Sequence, residues 1–280
     1  MIQPLLIIHG GAGGPFKDTK RPEKIRKKIQ DILSESYRTL AEVGALKAVV
    51  HAVRLLEDDP LFNAGTGSRL QSDGEARLSA SLMDGKAEKF AGVINIEKIK
   101  NPILVAEALL NEKDRVLSGP GALQYAKKIG LKSVDPRTPA SIERWKKEKG
   151  VGSDTVGACA LDASGNLASA TSTGGKGMEH PGRVSDSGMP AANYANALCA
   201  ISATGTGEEI IDEGLAIKIA VRVLDGMSID QAFRKSFMEV RSHGRSMGAI
   251  GIDVQGRVTW DTTTESLIYG WRKADETGLF

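Results

Sequence analysis

Apolar positions along the chain follow two rhythms. Over residues 22–42, Ile25, Ile29, Ile32 and Leu33 recur at helical spacing, and over residues 45–57, Val49, Val53 and Leu56 do the same. Both stretches predict amphipathic helices. Pro60 and the two glycines of "DDPLFNAGTGS" end the second of them. Short apolar runs predict buried strands: residues 5–8, closed by the glycine-rich "HGGAGGP", then residues 77–83 and 90–96. Helices are expected over 102–110, 121–129, 208–224 and 229–242.

The pattern changes at residues 131–154, which are charged, poor in core positions, and carry Pro136 and Pro139. This segment reads as an exposed linker. After it, residues 156–162 and 167–172 form a predicted hairpin around "DASGN", and residues 249–262, "AIGIDVQGRVTWDT", repeat the design. Strands and helices come in batches, not in strict alternation. That favours stacked antiparallel sheets covered by helices over a parallel dinucleotide-binding sheet.

A chain of 280 residues with 41% hydrophobic and 26% charged positions has ample material for a globular core. Its net charge of +2 gives no reason to expect nucleic acid or an acidic membrane surface. No segment reaches the length of a membrane span, and "MIQPLLIIHGG" lacks a signal peptide's basic flank and long apolar core. Cys159 and Cys199 each sit in apolar surroundings and read as buried thiols in a reducing compartment. The expected location is the cytoplasm.

Most motif readings fail on spacing. "HGGAGG" lacks the G-x-G-x-x-G pattern, and Lys176 in "TSTGGKGM" is followed by Gly instead of Ser or Thr. The histidines at 9, 51, 180 and 243 have no paired ligand spacing, and no G-x-S-x-G elbow is present. Thr155 is different. It follows Asp154 at the junction of the charged segment and a predicted buried strand. The residue types allow two readings: a β-branched residue starting a strand, or a nucleophile activated by its own α-amino group once the preceding peptide bond is broken. Such an amine has an ordinary pKa of roughly 7.7–8.0, suited to a base near neutrality.

Six stretches bear on the choice: "IIHGGAGG", "RLLEDDPLFNAGTGS", "LMDG", "DTVGACALDASGNLASATSTGG", "PGRVSDS" and "ATGTGE". In this order they resemble the plant-type asparaginases and isoaspartyl aminopeptidases, a branch of the N-terminal-nucleophile hydrolases. The resemblance covers almost the whole chain. It implies an α+β fold, a four-layer αββα sandwich, in a single domain of residues 1–280. It also implies self-cleavage between Asp154 and Thr155 into an α subunit (1–154) and a β subunit (155–280), assembled as a dimer of such pairs. The implied activity is hydrolysis of L-asparagine and of β-aspartyl dipeptides through an ester on the threonine.

By the same resemblance, Thr155 is the nucleophile, Thr173 bonds to it, and Asn63 sits beside it. Arg183 would grip the substrate α-carboxylate and Asp186 the α-ammonium group, with Gly207 lining the same subsite. The Thr204 hydroxyl and Gly205 N–H would form the oxyanion hole. No catalytic cofactor is implied. The backbone carbonyls of Leu56, Glu57, Asp59, Phe62, Ala64 and Thr66 would bind a structural sodium ion.

Some positions depart from the family pattern. Asp154 stands where this branch usually has Gly, "GRVSDSGMPAANYAN" replaces "GRVGDSP" and its glycine-rich sequel, and the linker is short. The Asp-Thr junction keeps glycosylasparaginase-like or threonine-protease activity as an alternative. A non-cleaving aspartate-binding relative is another.

Overall fold

A computed structural model describes residues 2–15, 21–147 and 155–280. The first half of the chain contains β1 (Leu5–Gly13), α1 (Arg21–Val43), α2 (Ala45–Asp58), β2 (Leu78–Asp84), β3 (Lys89–Ile96), α3 (Pro102–Leu109), β4 (Val116–Ser118), α4 (Gly119–Lys128) and α5 (Pro139–Lys147). The second half contains β5 (Val156–Leu161), β6 (Leu167–Thr173), a 3-10 turn (Asp186–Gly188), β7 (Asn193–Ala195), β8 (Cys199–Gly205), α6 (Gly207–Glu213), α7 (Leu215–Leu224), α8 (Ile229–Ser242), β9 (Met247–Asp253), β10 (Val258–Thr262), β11 (Ser266–Lys273) and β12 (Glu276–Leu279).

The described strands form two sheets, one in the order β12-β11-β1-β5-β6-β2-β3-β4 and one in the order β10-β9-β8-β7. Among them only the β3–β4 pair is parallel. Side chains alternate between faces along a strand, and the apolar clusters follow that alternation. Leu6 and Ile8 of β1, with Val156, Ala158 and Ala160 of β5, pack into a cluster with α1, α2 and α3. Their neighbours Leu5, Ile7, Cys159 and Leu161 face the other way, onto Ala200, Ile250 and Ile252 of the smaller sheet. The remaining face of that sheet, with Ile201, Ala203 and Ala249, packs on α7 and α8 through Ile219, Phe233 and Phe237. A strand buried on both faces reads as a continuous apolar run, which is why residues 5–8 stand out in the sequence.

Three expectations need correction. The "HGGAG" stretch is not a turn after β1 but its continuation, with a register shift between His9 and Gly11 against β11. Gly11 takes φ 123°, and a Cβ at Gly10 would lie 2.7 Å from the Phe62 ring, so these glycines serve a bulge and a close approach. The helix expected over 208–224 is two, α6 and α7, separated by Gly214 at φ 56°. The segment read as an exposed linker carries α5, in which Ser141 is buried and the Trp145 Nε1–H donates to the Gln71 carbonyl at 3.0 Å. The last part of that segment, including Asp154, lies outside the described residues.

Candidate active site

Thr155 immediately precedes β5, and Thr173 closes the neighbouring strand β6. Both side chains are buried, and the Thr155 hydroxyl donates to Thr173 Oγ1 at 3.3 Å. Thr173 Oγ1 also accepts the Gly175 N–H at 3.1 Å, so its position is tied to the loop that follows. Asn63 secures that loop: its side-chain N–H donates to the Gly175 carbonyl at 2.6 Å, and its own carbonyl accepts from the Gly174 N–H at 2.9 Å. Asn63 thus acts on the loop after Thr173 and is not among the residues lining the cavity at Thr155.

The backbone of Thr155 is fixed from below. Its carbonyl accepts from His9 Nδ1 at 3.0 Å, while His9 Nε2 meets Ser202 Oγ of β8 at 2.8 Å. A carbonyl can only accept, so the proton belongs on Nδ1 and Nε2 takes the serine hydroxyl. Burial lowers the His9 pKa to about 3, opposed by the bond to Thr155, so the ring is neutral. The contact passes over Gly157, where a Cβ would lie 2.1 Å from Ser202 Oγ and 2.4 Å from His9 Nε2.

Thr155 opens onto a cavity of about 120 Å³ lined also by Thr173, Gly175, Lys176, Arg183, Ser185, Asp186, Gly205, Thr206 and Gly207. Asp186 starts the 3-10 turn and is buried; its Oδ1 accepts from the Ser185 hydroxyl at 3.1 Å. Its Oδ2 is buried with no hydrogen-bond partner among the described residues. Burial pushes the carboxyl up from 3.8 to about 6, against the pull of the Arg183 charge. Arg183 grips Glu208 with two parallel bonds, Nε to Oε1 at 2.8 Å and Nη2 to Oε2 at 3.0 Å. Gly207 lets these groups approach: a Cβ there would sit 2.4 Å from Arg183 Nη2 and 2.5 Å from Asp186 Oδ1.

Thr204 ends up against β1, its Oγ1 accepting the Ala12 N–H at 3.2 Å, while the adjoining Gly205 faces the cavity. The structure therefore gathers Thr155, Thr173, Arg183, Asp186, Gly205 and Gly207 around one space. Thr204 and Asn63 stand just behind it. Sequence reading assigned no role to His9, Lys176, Ser185 or Glu208. Lys176 and Glu208 lie inside quoted motifs, but their pairing at 2.9 Å spans 32 positions and has no local signature.

The loop after α2 folds back on itself. Leu56 and Asp59 carbonyls accept the Asp59 and Phe62 N–H groups, and the Glu57 carbonyl accepts from Thr66 at 2.7 Å. Gly65 turns here at φ 61°, with the Glu57 and Lys100 carbonyls where its Cβ would be. The Leu56, Glu57 and Asp59 carbonyls are each already a hydrogen-bond acceptor within the loop, with a second lone pair remaining. Among the described residues no cluster of His, Cys, Asp and Glu could hold a metal ion.

The family described as asparaginase matches residues 2–153 and 147–279. A Synechocystis protein named isoaspartyl peptidase/L-asparaginase is 44% identical, covering 99% of this chain and 90% of its own. A Nostoc protein of the same name is 42% identical, covering 99% and 94%, and a human one 35%, covering 98% and 94%. Similarity of this strength from end to end makes one conclusion unavoidable: the chain belongs to the asparaginase family.

Proposed function

We propose that the protein is an N-terminal-threonine amidohydrolase that breaks its own chain before Thr155 and hydrolyses L-asparagine and β-aspartyl dipeptides. The observation that carries this reading is one small cavity lined by Thr155, Arg183 and Asp186, whose buried Oδ2 has no hydrogen-bond partner among the described residues. A zwitterionic amino-acid head suits such a pair: an ammonium for Asp186 Oδ2, and a carboxylate for the edge of Arg183 that Glu208 does not occupy. The modest volume favours that head over a folded protein segment.

Breaking the 154–155 bond gives Thr155 a free amine. As Oγ1 adds to the side-chain carbonyl of the substrate, the amine takes the hydroxyl proton. The tetrahedral oxygen takes hydrogen bonds from the Thr204 hydroxyl and the Gly205 N–H. The proton then moves to the departing nitrogen, which leaves as ammonia or as the amine of an amino acid. Water, deprotonated by the same amine, attacks the β-aspartyl ester, releasing aspartate and restoring the hydroxyl. The names of the relatives support this substrate class.

The two sheets and three apolar clusters support a four-layer αββα sandwich as the scaffold. A sodium ion on the residue 56–66 carbonyls would hold that loop in shape, with no part in the chemistry. Two free, buried cysteines suit a reducing, cytoplasmic setting, and among the described residues no helix is long and apolar enough to cross a membrane. Assembly as a dimer of cleaved units rests on the family resemblance.

The test is mass spectrometry of the purified protein at neutral pH, with an ammonia assay. A fragment beginning at Thr155 and turnover of L-asparagine are expected, and Thr155→Ala should abolish both. A Thr155→Ala variant that stays uncleaved yet hydrolyses asparagine as fast as the wild type would overturn the reading.

A further inference from the structure

Lys176 and Glu208 touch the candidate substrate site without a role in the reaction just described. Lys176 lines the cavity and its Nζ lies 2.9 Å from Glu208 Oε1, the same oxygen that accepts from Arg183 Nε at 2.8 Å. One carboxylate thus serves two cations. Burial pushes the Glu208 carboxyl up, but its bonds to Arg183 and Lys176 outweigh this and bring it down to about 2, so it is ionised throughout the working range.

A guanidinium has two edges that can bind a carboxylate with paired bonds, Nε with one Nη, and the two Nη together. Glu208 occupies the first, which leaves the Nη1/Nη2 edge of Arg183 for a second carboxylate. The Arg183 side chain is only 13% exposed, so it has little freedom to present another edge. Holding a second anion so near Glu208 brings like charges together. Lys176 offsets that repulsion and leaves the trio with one net positive charge, matched to one incoming carboxylate.

Resting on the asparaginase reading above, we propose that Glu208 and Lys176 are positioning residues for the substrate α-carboxylate. Glu208 fixes the guanidinium edge-on, and Lys176 neutralises Glu208 so that the substrate carboxylate is accepted beside it. Lys176 acts through Glu208 and does not itself hold the substrate. The chemistry selected is an α-amino acid with a free α-carboxylate, whether asparagine or a β-aspartyl dipeptide, over its α-carboxamide.

The experiment compares L-asparagine with L-asparagine α-carboxamide as substrates of the full-length wild type, Lys176→Met, Glu208→Gln and the double variant. Self-cleavage at Thr155 and the thermal midpoint report that each variant is folded. Glu208→Gln should raise KM for L-asparagine roughly tenfold with a much smaller change in kcat, the size of one charge-assisted bond. Both single variants should lower the preference for asparagine over its amide. The double variant should match Glu208→Gln, because Lys176 has nothing to offset once Glu208 is neutral. Additive losses in the double variant would overturn the proposal, since Lys176 would then meet the substrate directly. An unchanged preference in both single variants, with an active wild type, would overturn it too. A cleaved, folded wild type that turns over neither compound would instead defeat the asparaginase reading, and the proposal with it.

Discussion

Burial holds the Asp186 carboxyl near 6, well above the ordinary value of 3.8, against the pull of the Arg183 charge. Only the ionised form can hold an ammonium group. The Kd for L-aspartate, measured by calorimetry, should therefore rise as pH falls from 7 to 5, with a proton released on binding. The stability consequence has the opposite sense. Between 3.8 and about 6 the folded chain keeps a proton that the unfolded chain has lost, so this carboxylate's contribution to stability falls as pH rises through that window. Asp186→Asn should raise the thermal midpoint more at pH 8 than at pH 4 while destroying substrate binding. Gly207→Ala is expected to increase KM at least tenfold by steady-state kinetics, because its Cβ would strike Arg183 Nη2 at 2.4 Å and Asp186 Oδ1 at 2.5 Å. Thr173→Val removes the acceptor for both the Thr155 hydroxyl and the Gly175 N–H. It should lower kcat by roughly tenfold or more while leaving KM closer to wild type. At this scale the gathering of Thr155, Arg183 and Asp186 around one cavity was legible, because motif residues carry them. His9 was not: its role comes from contacts with residues 146 and 193 positions away.

Helices were legible where one face alone is buried. Helix α8 matches its expected bounds, and α1 and α2 match within a residue or two, since their apolar stripes have helical period. Strands β7 and β8 escaped notice. "NYA" is short, and in "CAISATG" only Ile201 and Thr204 have a strong strand preference among small residues, so tertiary burial decides its state. Helix α5 escaped because its polar sequence has one buried serine and one anchoring indole. Trp145→Ala removes both the bond to Gln71 and the packing on Gly74, whose Cβ position is 3.2 Å from the ring. Limited proteolysis should then cut within residues 131–147 much faster than in the wild type, with a lower thermal midpoint. Equal cutting rates would mean the indole is no anchor.

For the whole molecule, batching of strands and helices in the sequence pointed correctly to sheets that are mainly antiparallel, but not to their order. Strand order depends on which edges meet in three dimensions, and β1 pairs with β11 from the far end of the chain. The carbonyl loop of residues 56–66 belongs to this scale too, because Lys100 from a separate loop crowds Gly65. Replacing sodium by choline at constant ionic strength should lower the thermal midpoint if the loop binds the ion, as expected for any ligand of the folded state. No change up to high sodium would remove the ion from the account.

The order of the larger sheet has a last consequence. Strands from before and after Thr155 are braided: β12 and β11, then β1, then β5 and β6, then β2, β3 and β4. If the chain breaks before Thr155 as proposed, the two pieces share three ladders, β11 with β1, β1 with β5, and β6 with β2. Neither piece can leave without unzipping all three and exposing the apolar faces beneath. The severed enzyme should therefore migrate as one species under native conditions and come apart only on denaturation, held by interlocking and not by any covalent tie.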